Sequence, residues 1–214
     1  MAKKFDLKKG ELTRHVTKAA KAVADGYIIV IPMESSYAFA CDAFRADTVR
    51  AMHVLRGDPL FTSAQVIVGS VRTTEGIVRE ETPEILGLMK KFWPGLLSLN
   101  LRPQLGLSWD LGDNNQLDRV SVRLPKAKFA KALVSQTGPL AIASAARKSM
   151  PAPPSLSDVL VLDSDVALKF DNGKLRKGPI SIVIEADETG VRVLRIGAVS
   201  LEEIQAIIPG ATSA

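Results

Sequence analysis

The feature that most restricts the fold of this chain is the short apolar run from Tyr27 to Ile31, which Pro32 ends. A run of β-branched and aromatic residues without polar alternation predicts a strand that is buried on both faces. Proline has no N–H to give to a strand ladder, so we expect regular pairing to stop at Pro32. Such a strand needs packing layers on both sides and therefore favours a fold that combines helices with a sheet.

The polar loop 33–36 leaves the end of this strand, and the small residues Ala38 and Ala40 bring the chain back towards its neighbours. Loops at the ends of core strands commonly bind ligands in α/β proteins. The alternative interpretation is a strand, a turn and a second strand that carry no chemistry. These residues alone favour neither interpretation.

The rest of the chain alternates between helical and extended patterns. Apolar residues at helical spacing predict helices over residues 11–25, 46–55, 85–93, 127–134 and 201–208. Strands are predicted over residues 64–68, 96–101, 119–124, 140–144, 180–184 and 191–194. Residues 103–118 have the composition of a long surface loop. This order in 214 residues, without an internal repeat, predicts one α/β domain on a twisted mixed sheet. We expect the domain at residues 11–208, after a basic arm at 1–10 and before a tail at 209–214.

Positive charge is concentrated at the beginning of the chain. Residues 1–21 contain seven lysines and arginines against Asp6 and Glu11, which accounts for the whole net charge of +5. A basic segment attracts nucleic acid or other polyanions through phosphate contacts. The alternative is a solvated helix face that follows a solubilising tail.

The composition also restricts the compartment and the metal chemistry. One cysteine excludes an internal disulfide framework and is typical of a reducing cytoplasm, so we expect a cytoplasmic protein. Two histidines and that cysteine lie far apart in the sequence, and no metal site is predicted. The first residues lack the apolar core of a signal peptide, and no later run approaches the length of a membrane span.

Three segments, taken in this order, resemble the YrdC-type family that makes threonylcarbamoyl-AMP. Phe92–Gly95, followed by Leu-Leu-Ser-Leu-Asn-Leu, resembles the family's Trp-Pro-Gly-Pro-hydrophobic-Thr segment. Val120–Pro125 resembles a strand that carries an arginine and ends in proline, and Val193–Ala198 resembles a terminal Leu-Arg-Pro-Gly-Ala. Pro32–Asp42 is similar to the family's opening Pro-Thr-Asp/Glu-Thr-hydrophobic-Tyr-Gly-hydrophobic-Gly-Cys-Asp. The resemblance covers roughly residues 12–208.

The resemblance implies both a fold and a reaction. The family fold is a single α/β domain whose twisted mixed sheet and flanking helices surround a deep basic cavity. Its members combine L-threonine, bicarbonate and ATP, with Mg, and release pyrophosphate to leave threonylcarbamoyl-adenylate. A partner protein then moves the threonylcarbamoyl group onto the adenosine beside the anticodon of certain tRNAs. Some members bind double-stranded RNA, so the implied partners are tRNA or double-stranded RNA and tRNA-modification proteins.

The resemblance also implies site residues. Three negatively charged reactants would share one cavity, so fixed cations and hydroxyl donors are needed to hold them. Arg123 is the candidate clamp for the threonine carboxylate, with Ser35 and Ser181 as further substrate contacts. The implied nucleotide contacts are Arg56, Ser98, Ser144 and Arg195. The alternatives are a salt-bridged strand arginine and ordinary strand or turn serines. No residue is assigned to catalysis itself.

Several positions depart from the family pattern. The family's Lys-any-Arg-Pro segment, which handles the phosphates, is Arg56-Gly57-Asp58-Pro59 here. The net charge of its two ionic positions falls from about +2 to 0. Placing an aspartate beside a triphosphate costs on the order of a kcal/mol or more of binding free energy. Where the family has a threonine, two glycines, a histidine, an asparagine and a serine, this chain has Met33, Ala38, Ala40, Ile67, Ala146 and Ile180.

Three hypotheses follow. The first is an ATP-dependent threonylcarbamoyl-AMP synthase, which Arg123, Arg195 and the serines favour. The second is a catalytically silent relative that binds RNA or a nucleotide. It is favoured by the positive charge of residues 1–21 and by four departures from the family pattern: Met33, Asp58, Ile67 and Ala146. The third is a relative with a different carbamoylated or adenylated product. Enzymatic activity therefore stays open on the sequence alone.

Overall fold

The computed structural model of the chain describes residues 2–79, 82–162, 164–187 and 190–213. Its helices are α1 (Leu12–Ala24), α2 (Ala46–Arg56), α3 (Pro83–Phe92), α4 (Lys128–Thr137) and α5 (Leu201–Gln205). Its strands are β1 (Lys3–Asp6), β2 (Ile29–Pro32), β3 (Tyr37–Asp42), β4 (Gln65–Ile67), β5 (Leu97–Leu101), β6 (Val120–Arg123), β7 (Leu140–Ser144), β8 (Leu168–Asp171), β9 (Ile182–Asp187), β10 (Gly190–Arg195) and β11 (Thr212–Ser213).

These strands form one mixed sheet in the order β1-β8-β2-β3-β7-β4-β6-β5-β9-β10-β11. The central pairs β2–β3, β3–β7 and β7–β4 are antiparallel, whereas β4–β6 and β5–β9 are parallel. The single α/β domain with a mixed sheet that the sequence predicts is confirmed.

Within the apolar run, Ile29–Pro32 forms β2 and is buried on both faces as predicted, whereas Tyr27 precedes the strand and is exposed. Ile29 and Ile31 belong to a hydrophobic cluster with residues of α1 and α4, whereas Val30 belongs to a second cluster with residues of α2 and α3. The alternation of side chains along a strand therefore divides this segment between two packing layers. Pro32 is the last paired residue of the strand, opposite Tyr37.

The helix boundaries follow local signals. Gly26 and Gly57 follow α1 and α2 with φ angles of 85° and 66°, in the left-handed region that glycine adopts at low cost. At the start of α3, the Thr82 hydroxyl accepts a hydrogen bond from the N–H of Ile85 at 3.4 Å. Glycine therefore follows the ends of α1 and α2, and a threonine cap precedes the start of α3.

β1, β8 and β11 lie outside the predicted elements, and β3 was predicted only as the second strand of the alternative interpretation. β1 and β11 fall in the predicted arm and tail, yet they pair with β8 and β10, so sheet pairing extends beyond residues 11–208. β8 was not predicted because its sequence, Leu-Lys-Phe-Asp, is short and half polar. The proposed domain boundaries therefore exclude residues that belong to the sheet.

The segment 103–118 corrects a second expectation. It contains no regular strand or helix in the described ranges, as predicted, but its centre is not at the surface. Trp109 and Leu111 are buried in the main cluster, and Asp110 and Asp113 are buried beside them. Asp110 accepts hydrogen bonds from the N–H groups of Gly112 and Asn114, which satisfies backbone donors inside this irregular segment.

Within the described ranges, no helix combines the length and the apolar character that crossing a membrane requires.

Candidate functional site

A cavity of about 400 Å³ lies over one face of the central strands. Side chains reach it from β3, β7, β4, β6 and β9. Residues that lie opposite each other on neighbouring strands face the same side of the sheet: Ala38 lies opposite Ser144, and Gln65 lies opposite Ile142. Ala38 and Ile142 also belong to the cluster beneath α1 and α4. The cavity therefore occupies the part of that face which the two helices leave uncovered.

Arg123, at the end of β6, is a buried arginine in the cavity wall. Its Nη2 atom lies 2.5 Å from Oε2 of Glu34, in the loop between β2 and β3. The other Glu34 oxygen accepts hydrogen bonds from the N–H groups of Lys126 and Ala127, immediately before α4. Glu34 is thereby fixed at both oxygens and orients the guanidinium, whose Nε has no partner among the described residues.

A row of hydroxyl groups crosses the floor of the cavity. The side-chain amide of Gln65 donates to Ser98 at 2.8 Å and to Ser121 at 3.2 Å. Ser98 donates in turn to Ser181 at 3.3 Å. Arg195 donates from Nη2 to the Ser181 hydroxyl at 3.0 Å and to its carbonyl oxygen at 2.9 Å. Side chains of four strands and the start of β9 therefore form one polar network.

Arg195 reaches this network from the last long strand. The register of β10 against β9 shifts between Val193 and Arg195, and such irregularities redirect a side chain. A Cβ atom at Gly197 would lie 2.5 Å from the Ile180 carbonyl oxygen. Glycine is therefore needed in the Leu-Arg-Ile-Gly-Ala segment for close approach to the start of β9.

The charged residues that line the cavity are Glu34, Arg123 and Arg195. Burial lowers the pKa of the Arg195 guanidinium below its usual value, and the positive charge of Arg123 lowers it further. The two guanidinium groups therefore repel each other across a shared space, with one carboxylate to offset them. A bound anion would relieve that repulsion.

Most of the predicted site residues lie together. Ser35, Ser144 and Ser181 line the cavity with the two arginines, and Ser98 is buried just beneath them in the hydroxyl network. The Ser144 hydroxyl is buried at the cavity wall without a hydrogen-bond partner among the described residues, which marks it as a polar group whose partner has to be explained.

Arg56 is the exception among the predicted residues. It is not one of the residues that line the cavity. Its Nε donates to Asp58 at 2.7 Å, and its Nη1 donates to the carbonyl oxygens of Ser144 and Ala146. The sequence assigned Arg56 to the nucleotide phosphates, whereas its guanidinium is directed at protein groups because Asp58 and two carbonyls compete for it.

The departures from the family pattern fall into two groups. Met33, Ala38 and Ile180 line the cavity, so they change its chemistry. Ile67 is fully buried in the cluster beneath α1 and α4, where a polar side chain would need a partner. Asp58 is buried against Arg56 and His53 and does not line the cavity.

Sequence reasoning missed Glu34, Gln65 and Ser121 as site residues. Glu34 stands in the recognised opening segment, but its partner Arg123 is 89 residues away. Gln65 is polar within an apolar strand, which is a signal for a functional position, yet only the strand pairing reveals its serine partners.

A second cavity, of about 650 Å³, adjoins the first and shares Met33 and Glu34 with it. Lys126 and Lys128 line it at the start of α4, together with Asn172. Glu34 thus separates an arginine-lined space from a lysine-lined one.

The positive charge of residues 1–21 is partly neutralised by nearby carboxylates. In residues 1–21, four cations lie within 4.0 Å of carboxylates: Lys4 with Asp171, Lys9 with Asp6, Arg14 with Glu11, and Lys21 with Asp25. Lys18 lies over the ring of Phe5 instead. Lys3 and Lys8 have no such carboxylate among the described residues, so they are the cations most available to a polyanion.

A mixed sheet with helices on both faces and an arginine-lined cavity over its centre defines an α/β domain with a candidate ligand site. Residues 21–197 match the family model Sua5_yciO_yrdC, described as telomere recombination. The chain therefore belongs to the Sua5/YciO/YrdC family, which confirms the resemblance seen in its sequence.

Individual relatives agree with this assignment. A protein of Mycobacterium tuberculosis is 32% identical over 197 residues, which cover 92% of this chain and 90% of the relative. The threonylcarbamoyl-AMP synthase of Bacillus subtilis is 27% identical over 90% of this chain, but over only 56% of its own length. The crystal structure of Pyrococcus abyssi Sua5 complexed with L-threonine has a TM-score of 0.88 and 26% identity. It covers all of this chain, which spans 62% of that structure.

Proposed function

We propose that the chain is a threonylcarbamoyl-AMP synthase, which joins L-threonine, bicarbonate and ATP and releases pyrophosphate. The observation that carries the proposal is the pair Arg123 and Arg195 in one cavity, joined to a row of hydroxyl donors. The name of the Bacillus relative and the threonine in the Pyrococcus structure support the same reaction.

The reaction proceeds in two steps. The threonine amine nitrogen bonds to the bicarbonate carbon, and a carbon–oxygen bond breaks to release water, which carries away one amine proton. An oxygen of the resulting carbamate then bonds to the α-phosphorus of ATP, and pyrophosphate leaves. Each step brings negatively charged groups together, so fixed cations and aligned donors are the main contribution of the protein.

Each lining residue has a role in this proposal. Arg123, already oriented by Glu34, binds the threonine carboxylate, and Ser35 and Ser181 donate to the rest of the amino acid. Arg195 binds the nucleotide, and the free hydroxyl of Ser144 completes that contact. Ser98 acts through Ser181, because its hydroxyl is buried and bonded to that serine.

Mg²⁺ enters the proposal with ATP. The described residues contain no group of three His, Cys, Asp or Glu side chains that could hold a metal ion. In this proposal the ion keeps several waters and takes oxygens from the substrate phosphates, as Mg²⁺ commonly does. When bound, the ion would offset phosphate charge.

The second candidate is a catalytically silent nucleotide- or RNA-binding protein. The inward direction of Arg56 and the apolar replacements Met33 and Ile180 favour it, because they remove a cation and hydroxyls from the phosphates and substrate. In either case tRNA or double-stranded RNA is a proposed partner of the basic first residues. Proteins that transfer the threonylcarbamoyl group are proposed partners only of the synthase.

The test is pyrophosphate release from ATP in the presence of threonine and bicarbonate. Arg123→Lys should raise the KM for threonine roughly 10- to 100-fold, because a paired guanidinium contact contributes about 1.5–3 kcal/mol. The matched control is Arg119→Lys, which lies beside the same strand but pairs with Asp187 at 2.9 Å. An unchanged threonine KM in Arg123→Lys would refute the clamp, and no threonine-dependent pyrophosphate in the wild type would favour the silent protein.

A further inference from the structure

We propose that Arg56 is a positioning residue of the candidate site and not a phosphate ligand. Oriented by Asp58 and His53, it fixes the segment 144–148 and thereby holds the Ser144 hydroxyl in the cavity wall. The consequence for ATP rests on the proposed function, whereas the consequence for the mobility of the segment does not.

Three hydrogen bonds of Arg56 go to one segment. Its Nη1 donates to the carbonyl oxygens of Ser144 and Ala146, the latter at 2.9 Å. Its own carbonyl oxygen accepts the N–H of Lys148 at 2.7 Å. A single residue at the end of α2 thus contacts the turn after β7 at three points, through both its side chain and its backbone.

Asp58 keeps this arginine in place. The side chains of Asp58 and Arg56 are only 2% and 14% exposed. One oxygen of Asp58, Oδ2, lies 2.7 Å from Arg56 Nε and 2.8 Å from His53 Nδ1. The carboxylate therefore neutralises a largely buried guanidinium and fixes its direction.

His53 connects the pair to the buried loop. Its Nε2 lies 2.9 Å from the carbonyl oxygen of Leu111. The Asp58 N–H also donates to the His53 carbonyl oxygen at 3.1 Å, which follows from the left-handed turn at Gly57. The network therefore runs from the irregular segment around Leu111 to the edge of the cavity.

The other side of the segment is held by the sheet. The N–H of Ala145 donates to the Tyr37 carbonyl oxygen at 3.1 Å. The carbonyl oxygens of Ser144 and Ala146 are bonded to Arg56, so the backbone that follows Ser144 is held from both sides. This arrangement leaves the buried Ser144 hydroxyl unpaired in the wall of the cavity.

This arrangement gives the aspartate a physical role. An aspartate exposed to a triphosphate would weaken ATP binding, but Asp58 faces Arg56 and His53 instead. Arg56→Lys should therefore weaken ATP binding through Ser144. Loss of a positioned contact of this kind costs about tenfold or more in affinity or rate.

The experiment is a double-mutant cycle on ATP affinity with Arg56→Lys and Ser144→Ala. If Arg56 acts through Ser144, the double variant binds ATP no more weakly than Ser144→Ala alone. Additive losses would overturn the proposal, because they would mean an independent contact of Arg56 with ATP. Arg50→Lys is the control, since Arg50 lies on the same helix and pairs with Asp110. Asp58→Asn replaces Arg56→Lys in the cycle if the lysine variant does not fold.

Amide hydrogen exchange in the protein without ligand tests the mechanical part separately. Arg56→Lys should speed exchange at Ala145 and Lys148 about tenfold more than Arg50→Lys does, a local loss of about 1.4 kcal/mol. If the wild type lacks synthase activity, this result still supports the positioning role. Unchanged exchange at both amides would overturn it whatever the activity.

Discussion

Replacing Asp58 by alanine should destabilise the folded chain far more than replacing an exposed aspartate. The change leaves the Arg56 guanidinium, 14% exposed, without its carboxylate at 2.7 Å. Breaking a buried ion pair by removing one partner costs about 3–5 kcal/mol, because the remaining charge is uncompensated. Asp58→Asn keeps an acceptor for the arginine, so its cost should fall to about 1–3 kcal/mol.

The assay is urea unfolding at pH 7, with the free energy of unfolding extrapolated to water. The control is Asp25→Ala, whose pair with Lys21 at 2.9 Å is 77% and 44% exposed and should contribute about 1 kcal/mol or less. If Asp58→Ala loses no more than Asp25→Ala, the inward network does not stabilise the fold and the reasoning fails.

The same pair gives a pH dependence. Burial would raise the pKa of Asp58, but the hydrogen bonds and charges of Arg56 and His53 outweigh it and hold the pKa below its usual range. A carboxyl whose pKa is lower in the folded state contributes its full stabilisation at pH values above its pKa in the unfolded chain, about 3.9. It loses that contribution as the pH falls through its pKa in the folded state. The contribution of the Asp58 carboxylate to the stability gap between wild type and Asp58→Asn should therefore be lost as the pH falls below about 4.

Three further outcomes are expected. Burial raises the pKa of the Cys41 thiol to about 12, so alkylation at pH 8 should be slow in the native protein and fast in urea; rapid native labelling would contradict the burial. Gly112→Ala should lower the free energy of unfolding by about 1–3 kcal/mol, because φ is +105° and the new Cβ would lie 2.5 Å from the His53 ring; an unchanged urea midpoint would contradict this contact. The double change Lys3→Gln with Lys8→Gln should flatten the salt dependence of RNA affinity by about two units of slope if these cations bind phosphates, and an identical slope would exclude them.

Much of the fold could be predicted because its signals are local. β2 reveals itself through an apolar run with a proline end, and α3 through a threonine–proline start. β1 and β8 carry no such signal, since each has four residues of mixed polarity and becomes a strand only through its partner. The burial of Trp109 likewise depends on tertiary packing, which composition does not encode.

The candidate site also contains residues with a local sequence signal and residues whose placement depends on tertiary contacts. Arg123 and Arg195 could be placed together because each stands at the end of a strand in a recognisable segment. The direction of Arg56 could not, since it depends on the turn at Gly57 that returns Asp58 towards His53. The sequence assigned Arg56 to a phosphate because of its position in a motif. In the folded chain, Asp58 and two backbone carbonyl oxygens accept hydrogen bonds from its guanidinium, which therefore points into the protein.

The strand order has a consequence for how the chain assembles during synthesis. β8 pairs with β1, where Lys3 lies opposite Leu168, and it also pairs with β2. Both β1 and β2 are therefore synthesised long before this shared partner strand. A ribosome that adds about 5–20 residues per second would keep the edge of β2 unpaired for on the order of ten seconds or more. During that interval an apolar strand with a free edge is open to wrong partners.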